Sequence, residues 1–262
     1  TPVLGVKKLG NTYVQPRTLS FNPAERSVLV VSVNGSTSSA ESGSAASGMY
    51  DLAPLPRDGG SGSGGDLLDS EQVGKRGSGT SAIFVARNRF AVLDRTAQVI
   101  EIRDLSNNVT KTIPCPTASS AAAGGSSGLP ATTNEIFFGG TASLLLSTTT
   151  GVILFDIQQQ KILGELSAPT VKYIAWSADG NNVALLSKHT ITIANKNLSS
   201  STLIHETIRI KSACWDEAGV LVYTTLNHIK YALPSGDSGI IKTLKQRTLP
   251  IAFLRAIAVN KH

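Results

Sequence analysis

Trp176-Ser-Ala-Asp-Gly180 returns as Trp215-Asp-Glu-Ala-Gly219, 39 residues later. Each copy is followed by an apolar run (Val183-Ala-Leu-Leu186, Val220-Leu-Val-Tyr-Thr224), a short turn containing His189 or His228, and a second run (Thr190-Ile-Thr-Ile193, His228-Ile-Lys-Tyr231). Short runs of β-branched and aromatic residues bounded by Gly, Asn, Asp or Pro read as strands. The ends of the second runs carry the same period: Asp104, Asp156, Asn195 and Pro234 are spaced by 52, 39 and 39 residues. The first interval also falls to about 39 once roughly 13 residues of an Ala/Ser/Gly insert near Ala121 are set aside. A weaker copy opens the chain as Phe21-Asn-Pro-Ala-Glu25 ahead of Val28.

Working outward, further strand-like runs are Ser27-Val-Leu-Val-Val-Ser32, Ala82-Ile-Phe-Val-Ala86, Phe90-Ala-Val-Leu93, Val99-Ile-Glu-Ile102, Ser143-Leu-Leu-Leu-Ser147 and Val152-Ile-Leu-Phe155. No segment before residue 243 keeps a helical period over three turns. A repeat near the ~40 to 45 residues of WD-type blades predicts an all-β, WD40-like β-propeller, with each four-stranded blade burying its faces against its neighbours. The two tryptophans are expected to sit at equivalent positions of adjacent blades and to seal the packing between them.

Three stretches, 34–48, 57–80 and 117–133, are dominated by Gly, Ser, Ala and Thr. Such segments bury too little apolar surface to offset their ordering entropy and are expected to be flexible inserts. The domain reading is an N-terminal extension over 1–15, the propeller over 16–244 with these inserts, and a basic tail over 245–262. Setting the inserts aside leaves about five blade equivalents, near the lower end of the ~4 to 8 that close a ring, and an incomplete propeller is expected.

Charge and composition exclude several function classes. Only 16% of the 262 residues are charged, which argues against coiled coils and long exposed helices. No run reaches the ~18 apolar residues of a membrane span. Cys115 and Cys214, separated by 98 intervening residues, form neither a metal-ligand spacing nor a disulfide framework, which fits a reducing compartment and leaves the sequons at Asn34, Asn108 and Asn197 idle. The net charge of +6 is concentrated: residues 242–262 hold five Lys or Arg and no acid, whereas 171–241 hold six bases and five acids. Without aromatics interleaved among spread basic groups, no nucleic-acid partner is expected.

Enzymatic readings rest on weak motifs. Gly124-Gly-Ser-Ser-Gly128 formally matches a nucleophile elbow through Ser126, and Gly60-Ser-Gly-Ser-Gly-Gly65 a dinucleotide fingerprint. Both lie in Gly/Ser tracts that lack the strand-turn-helix or βαβ context such sites need. His189, His205 and His228 have no second ligand at metal spacing. No catalytic, cofactor-binding or metal residue is therefore assigned, and no cofactor is expected.

Gly79-Thr-Ser-Ala-Ile-Phe-Val-Ala-Arg-Asn-Arg-Phe-Ala-Val-Leu-Asp94, Val171-Lys-Tyr-Ile-Ala-Trp-Ser-Ala-Asp179, Val183-Ala-Leu-Leu-Ser-Lys-His189, His205-Glu-Thr-Ile-Arg-Ile-Lys-Ser-Ala-Cys-Trp-Asp216 and Tyr223-Thr-Thr-Leu-Asn-His-Ile-Lys-Tyr231 resemble the alpha-subunit family of coatomer, in the WD-associated region that forms its second propeller. The resemblance runs from about Pro16 to Leu244 and is strongest from Val171 to Thr243; Lys245 to His262 does not share it. With no initiator Met, a fragment of a longer subunit is expected.

The resemblance implies a non-enzymatic structural part of the COPI vesicle coat, a protein–protein interaction scaffold in Golgi-to-ER retrograde and intra-Golgi transport. Its implied partners are the beta-prime and epsilon coatomer subunits, with an Arf-type small GTPase acting indirectly. The implied location is cytoplasmic, peripheral on Golgi membranes and COPI-coated vesicles through the coat. The alternatives are a propeller interaction module of another assembly, either the beta-prime subunit or an unrelated coat-like complex, and thirdly a propeller-type hydrolase.

Overall fold

The computed structural model describes residues 16–24, 27–33, 48–54, 75–116 and 131–244. They form twenty strands and, among the described residues, no helix. Blade 1 holds β1 (Pro16–Phe21), β2 (Ser27–Val33), β3 (Gly48–Pro54) and β4 (Lys75–Ser78). Blade 2 holds β5 (Ser81–Ala86), β6 (Arg89–Asp94), β7 (Val99–Asp104) and β8 (Val109–Pro114). Blade 3 holds β9 (Thr133–Phe138), β10 (Ser143–Thr148), β11 (Gly151–Asp156) and β12 (Lys161–Ser167). Blade 4 holds β13 (Tyr173–Trp176), β14 (Asn182–Leu186), β15 (Thr190–Asn195) and β16 (Ser201–His205). Blade 5 holds β17 (Ser212–Trp215), β18 (Leu221–Thr224), β19 (His228–Ala232) and β20 (Ser238–Thr243).

In every sheet the four strands pair in chain order, the meander of a WD40-type blade. Blades 1 and 2 with β9 belong to one compact unit, blades 4 and 5 to a second, and the strands of blade 3 are divided between the two.

The second and third strands of blades 3 and 4 are covered on both faces and read as continuous apolar runs. All six residues of β10 are buried, as are all four of β18. First and fourth strands are sheet edges with far more exposure: only Ile113 of β8 is buried, and no residue of β20 is. Nine of the ten runs read from the sequence are therefore central strands, the exception being β5.

Three insert boundaries of the sequence reading are corrected. Lys75–Ser78, assigned to the flexible insert 57–80, is strand β4. Its composition hides what holds it: Tyr50 pairs with Gly77 and Asp51 with Arg76. The Tyr50 ring lies over Gly77 so closely that a Cβ there would meet the phenol oxygen at 2.2 Å. The Arg76 guanidinium donates to both carboxylate oxygens of Asp51, at 2.9 and 3.0 Å. Likewise Gly48 opens β3 and Thr133 opens β9. The remainder of 34–48, 57–80 and 117–133, the extension 1–15 and the tail 245–262 lie outside the described residues.

The last residue of the first strand is Phe21, Phe138, Trp176 and Trp215 in blades 1, 3, 4 and 5, and Ala86 in blade 2. The tryptophans thus occupy equivalent positions. The connections after them differ, since Trp176 pairs with Val183 and Trp215 with Leu221, leaving six intervening residues in blade 4 and five in blade 5. Both contain a glycine in the left-handed region, Gly180 (φ 67) and Gly219 (φ 76), where a side chain is strained.

That missing residue shifts everything after it. The turn between second and third strands is closed by Ser187 N donating to Thr190 O and by Thr225 N donating to His228 O. His228 is therefore equivalent to Thr190, and His189 to Asn227, so the two histidines do not share a repeated position. By the same slip Leu233, rather than Pro234, matches Asn195: Leu198 N donates to Asn195 O and Gly236 N to Leu233 O. Asp104, Asp156 and Asn195 do mark a common feature, a side-chain oxygen that accepts backbone N–H groups of the turn into the fourth strand. Asp104 accepts from Ser106 and Asn108, Asp156 from Gln158 and Gln159, and Asn195 from Ser199, all at 2.7 to 2.9 Å.

Candidate functional site

The site-bearing structure is the seam between successive blades, and it follows one rule. The turn between third and fourth strands of one blade lies on the fourth strand of the blade before it. Lys75 Nζ of β4 donates to Leu105 O at 3.0 Å, Lys111 Nζ of β8 to Ile157 O at 3.1 Å, and Thr202 Oγ1 of β16 to Pro234 O at 2.9 Å. On β12 the equivalent contact is made by a glycine, because a Cβ on Gly164 would lie 2.2 Å from Asn197 O. Backbone against backbone cannot yield as a side chain does, so Gly164→Ala should cost about 1 to 3 kcal/mol, read as a lowered denaturant midpoint. Gly180→Ala, with open space around its Cβ, should cost only about 1 kcal/mol from its left-handed backbone.

First strands meet as well. Phe84 N donates to Ser20 Oγ at 3.0 Å, Ser81 Oγ to Ile136 O at 2.9 Å, and Trp215 Nε1 to Ala175 O at 2.9 Å. Trp215 is buried within a cluster that includes Ala184, Leu186, Ile193, Leu221 and Tyr223. Trp176 is only half-buried.

Two polar groups sit at these seams. Between blades 1 and 2, the Tyr50 hydroxyl donates to Asn107 Oδ1 at 2.7 Å, and Arg103 donates to Asn107 O at 2.9 Å and to Glu101 Oε2 at 2.6 Å. The Tyr50 ring meets Phe90 edge-on, with centroids 5.7 Å apart. Between blades 4 and 5, Glu206 Oε1 accepts from the Tyr223 hydroxyl at 2.6 Å and from Lys230 Nζ at 2.5 Å. Lys230 also stands 5.9 Å over the Tyr223 ring. Burial, then the hydrogen bond to Glu206, pushes the Tyr223 phenol well above its ordinary range.

At the turn after Trp176, the Ser177 hydroxyl and the Asn181 backbone N–H donate to Asp179, holding its carboxyl at about 2. A carboxyl whose pKa is depressed on folding contributes stability above its unfolded value near 4, and that contribution is lost as pH falls toward 2. A carbon-detected NMR titration should place the Asp179 midpoint at about 2, and Ser177→Ala should move it upward.

Ser126, Ser127 and Gly60 to Gly65 lie outside the described residues. His205 ends β16, His228 opens β19, and His189 precedes β15. Among the described residues no three His, Cys, Asp or Glu side chains are placed to hold a metal. Cys115 and Cys214 are unbridged, and burial raises the Cys115 thiol.

The family model described as COPA/B second beta-propeller matches residues 1–253. The chain belongs to that family.

Similar proteins include "Coatomer subunit alpha-3" of Oryza sativa subsp. japonica, 46% identical over 246 residues that make up 94% of this chain and 17% of the relative. "Putative coatomer subunit alpha" of Schizosaccharomyces pombe is 48% identical over 94% of this chain and 18% of the relative. "Coatomer subunit alpha" of Saccharomyces cerevisiae is 38% identical over the same shares. The chain thus spans less than a fifth of the length of the curated relatives it matches.

The coatomer propeller match reaches beyond the 16–244 span read from the sequence, taking in 1–15 and the first nine residues of the basic tail. The seam residues of this propeller are not legible in the sequence. Tyr50, Asn107, Glu206 and Lys230 carry no motif, and the pairs join residues 57 and 24 apart.

Proposed function

We propose that this propeller is a non-enzymatic interaction scaffold of the COPI coat, serving Golgi-to-ER retrograde and intra-Golgi transport. The observation that carries the reading is identity of 46 to 48% with coatomer alpha subunits across 94% of the chain. The expected partners are other coatomer subunits, beta-prime and epsilon among them, with recruitment by an Arf-type small GTPase acting through the assembled coat. Its expected place is cytoplasmic, peripheral on Golgi membranes and coated vesicles. No helix among the described residues is long and apolar enough to cross a membrane.

Scaffolding suits the structure physically. The blades are tied by short polar contacts around apolar cores, and their edge strands present half-exposed side chains such as Leu163, Leu203 and Ile240 to partners. Affinity purification of the tagged chain within its full-length subunit should recover beta-prime and epsilon. Recovery of a different assembly without those subunits would favour an unrelated coat-like complex.

A further inference from the structure

The sequence of blades 4 and 5 is nearly neutral, yet the fold sorts its charges. Antiparallel meanders bring alternate connections to the same end of a blade. At one end lie the turns that follow Trp176 and Trp215 together with the turns into β16 and β20. These carry Asp179, Asp216, Glu217 and Asp237 with one base, Lys196.

The other end collects the turns between second and third strands, the link from β16 to β17, the start of β13 and the finish of β20. There the exposed bases are Lys172, Lys188, Arg209, Lys211 and Lys242. The two blades are tied at this end by the link itself, since Glu206 N donates to His189 O, Ile210 N to Lys188 O, and Lys211 N to Thr224 O. Within blades 4 and 5 its one acid is Glu206, already neutralised by Lys230. Beside the bases stand two exposed apolar side chains, Tyr173 at 48% and Leu226 at 56%. The last described residue, Leu244, also lies at this end, its N–H donating to Asn227 O.

We propose that this end of blades 4 and 5 docks directly on an anionic lipid surface. The inference goes beyond membership of a coat and does not depend on it. Bases set on turn tips and strand ends, without ion-pair partners among the described residues, suit a laterally mobile negative surface. Tyr173 and Leu226 supply the amphipathic and apolar groups that favour the headgroup boundary. An acidic protein segment would satisfy the bases but leave those two side chains without a purpose.

The test is flotation of the whole chain with phosphatidylcholine vesicles, alone or with about 30 mol % phosphatidylserine, at about 0.1 M salt. The chain should float with the anionic vesicles only. The double substitution Lys188→Glu with Lys211→Glu should weaken binding by about tenfold or more. Lys196→Glu at the opposite end should leave it unchanged, and Leu226→Ser should remove the part of binding that survives high salt. Thermal melts identify any variant that fails to fold, and Lys172→Gln with Arg209→Gln then serves as the replacement.

The proposal is overturned if anionic vesicles do not bind, if the double variant binds like the parent, or if Lys196→Glu weakens binding equally. It is also overturned if neutralising Lys245, Arg247, Arg255 and Lys261 alone abolishes flotation. Binding of a polyglutamate peptide in place of vesicles would assign the surface to an acidic protein partner instead.

Discussion

Trp215→Ala should destabilise the propeller by about 3 to 5 kcal/mol, against a clearly smaller loss for Trp176→Ala, although the two residues end equivalent strands. The difference lies in what each indole reaches. Trp215 is 8% exposed, packs in the cluster shared by blades 4 and 5, and donates its ring N–H to Ala175 O of the neighbouring first strand. Truncation would leave a cavity and remove a hydrogen bond across one seam. Trp176 is half-buried, so less area is lost. Urea unfolding of the two variants, compared at constant slope, measures the contrast. Equal losses would show that the repeat position, and not the depth of burial, sets the energy.

Glu206→Ala should cost a comparable amount, about 3 to 5 kcal/mol, because it removes one partner of a largely buried pair and leaves Lys230 without its counter-charge. The side chains of Glu206 and Lys230 are 8% and 20% exposed. Tyr223, fully buried, would lose the acceptor of its hydroxyl at the same time. Replacing the pair together, Glu206→Leu with Lys230→Met, should recover much of the loss, since apolar residues of similar volume need no compensation. The double-mutant cycle separates the pair's coupling from the cost of an orphaned charge.

The same group makes stability fall in alkali. The Tyr223 phenol is held protonated by burial and by Glu206, so its folded pKa lies above the unfolded value near 10. Its contribution is complete below about pH 10 and is lost as pH rises beyond it, because the unfolded chain then releases a proton that the folded chain keeps. Tyr223→Phe should flatten that alkaline decline in melting temperature.

What the sequence determined by itself was the repeat and the strands at the centre of each blade. The central strands of blades 3 and 4 are buried on both faces, so Val183 to Leu186 and Val152 to Phe155 appear as unbroken apolar runs, and the side-chain caps at Asp104, Asp156 and Asn195 act within five residues of themselves. Both are local signals, and local signals survive in one dimension. Edge strands do not announce themselves: β4 is Lys-Arg-Gly-Ser, and it is a strand because Tyr50 covers Gly77 and Asp51 holds Arg76. Equivalence within the repeat likewise needed strand register, since one residue fewer after Trp215 moves His228 onto the place of Thr190 while the 39-residue spacing stays intact.

The tertiary structure alone decided the seams and the charge. Glu206 meets Lys230 and Tyr50 meets Asn107 only because successive meanders stack, which joins residues that no window on the sequence contains. Six bases and five acids between 171 and 241 cancel when counted along the chain. Antiparallel folding sends alternate turns to opposite ends, so the sum stays near zero while its two signs are pulled apart.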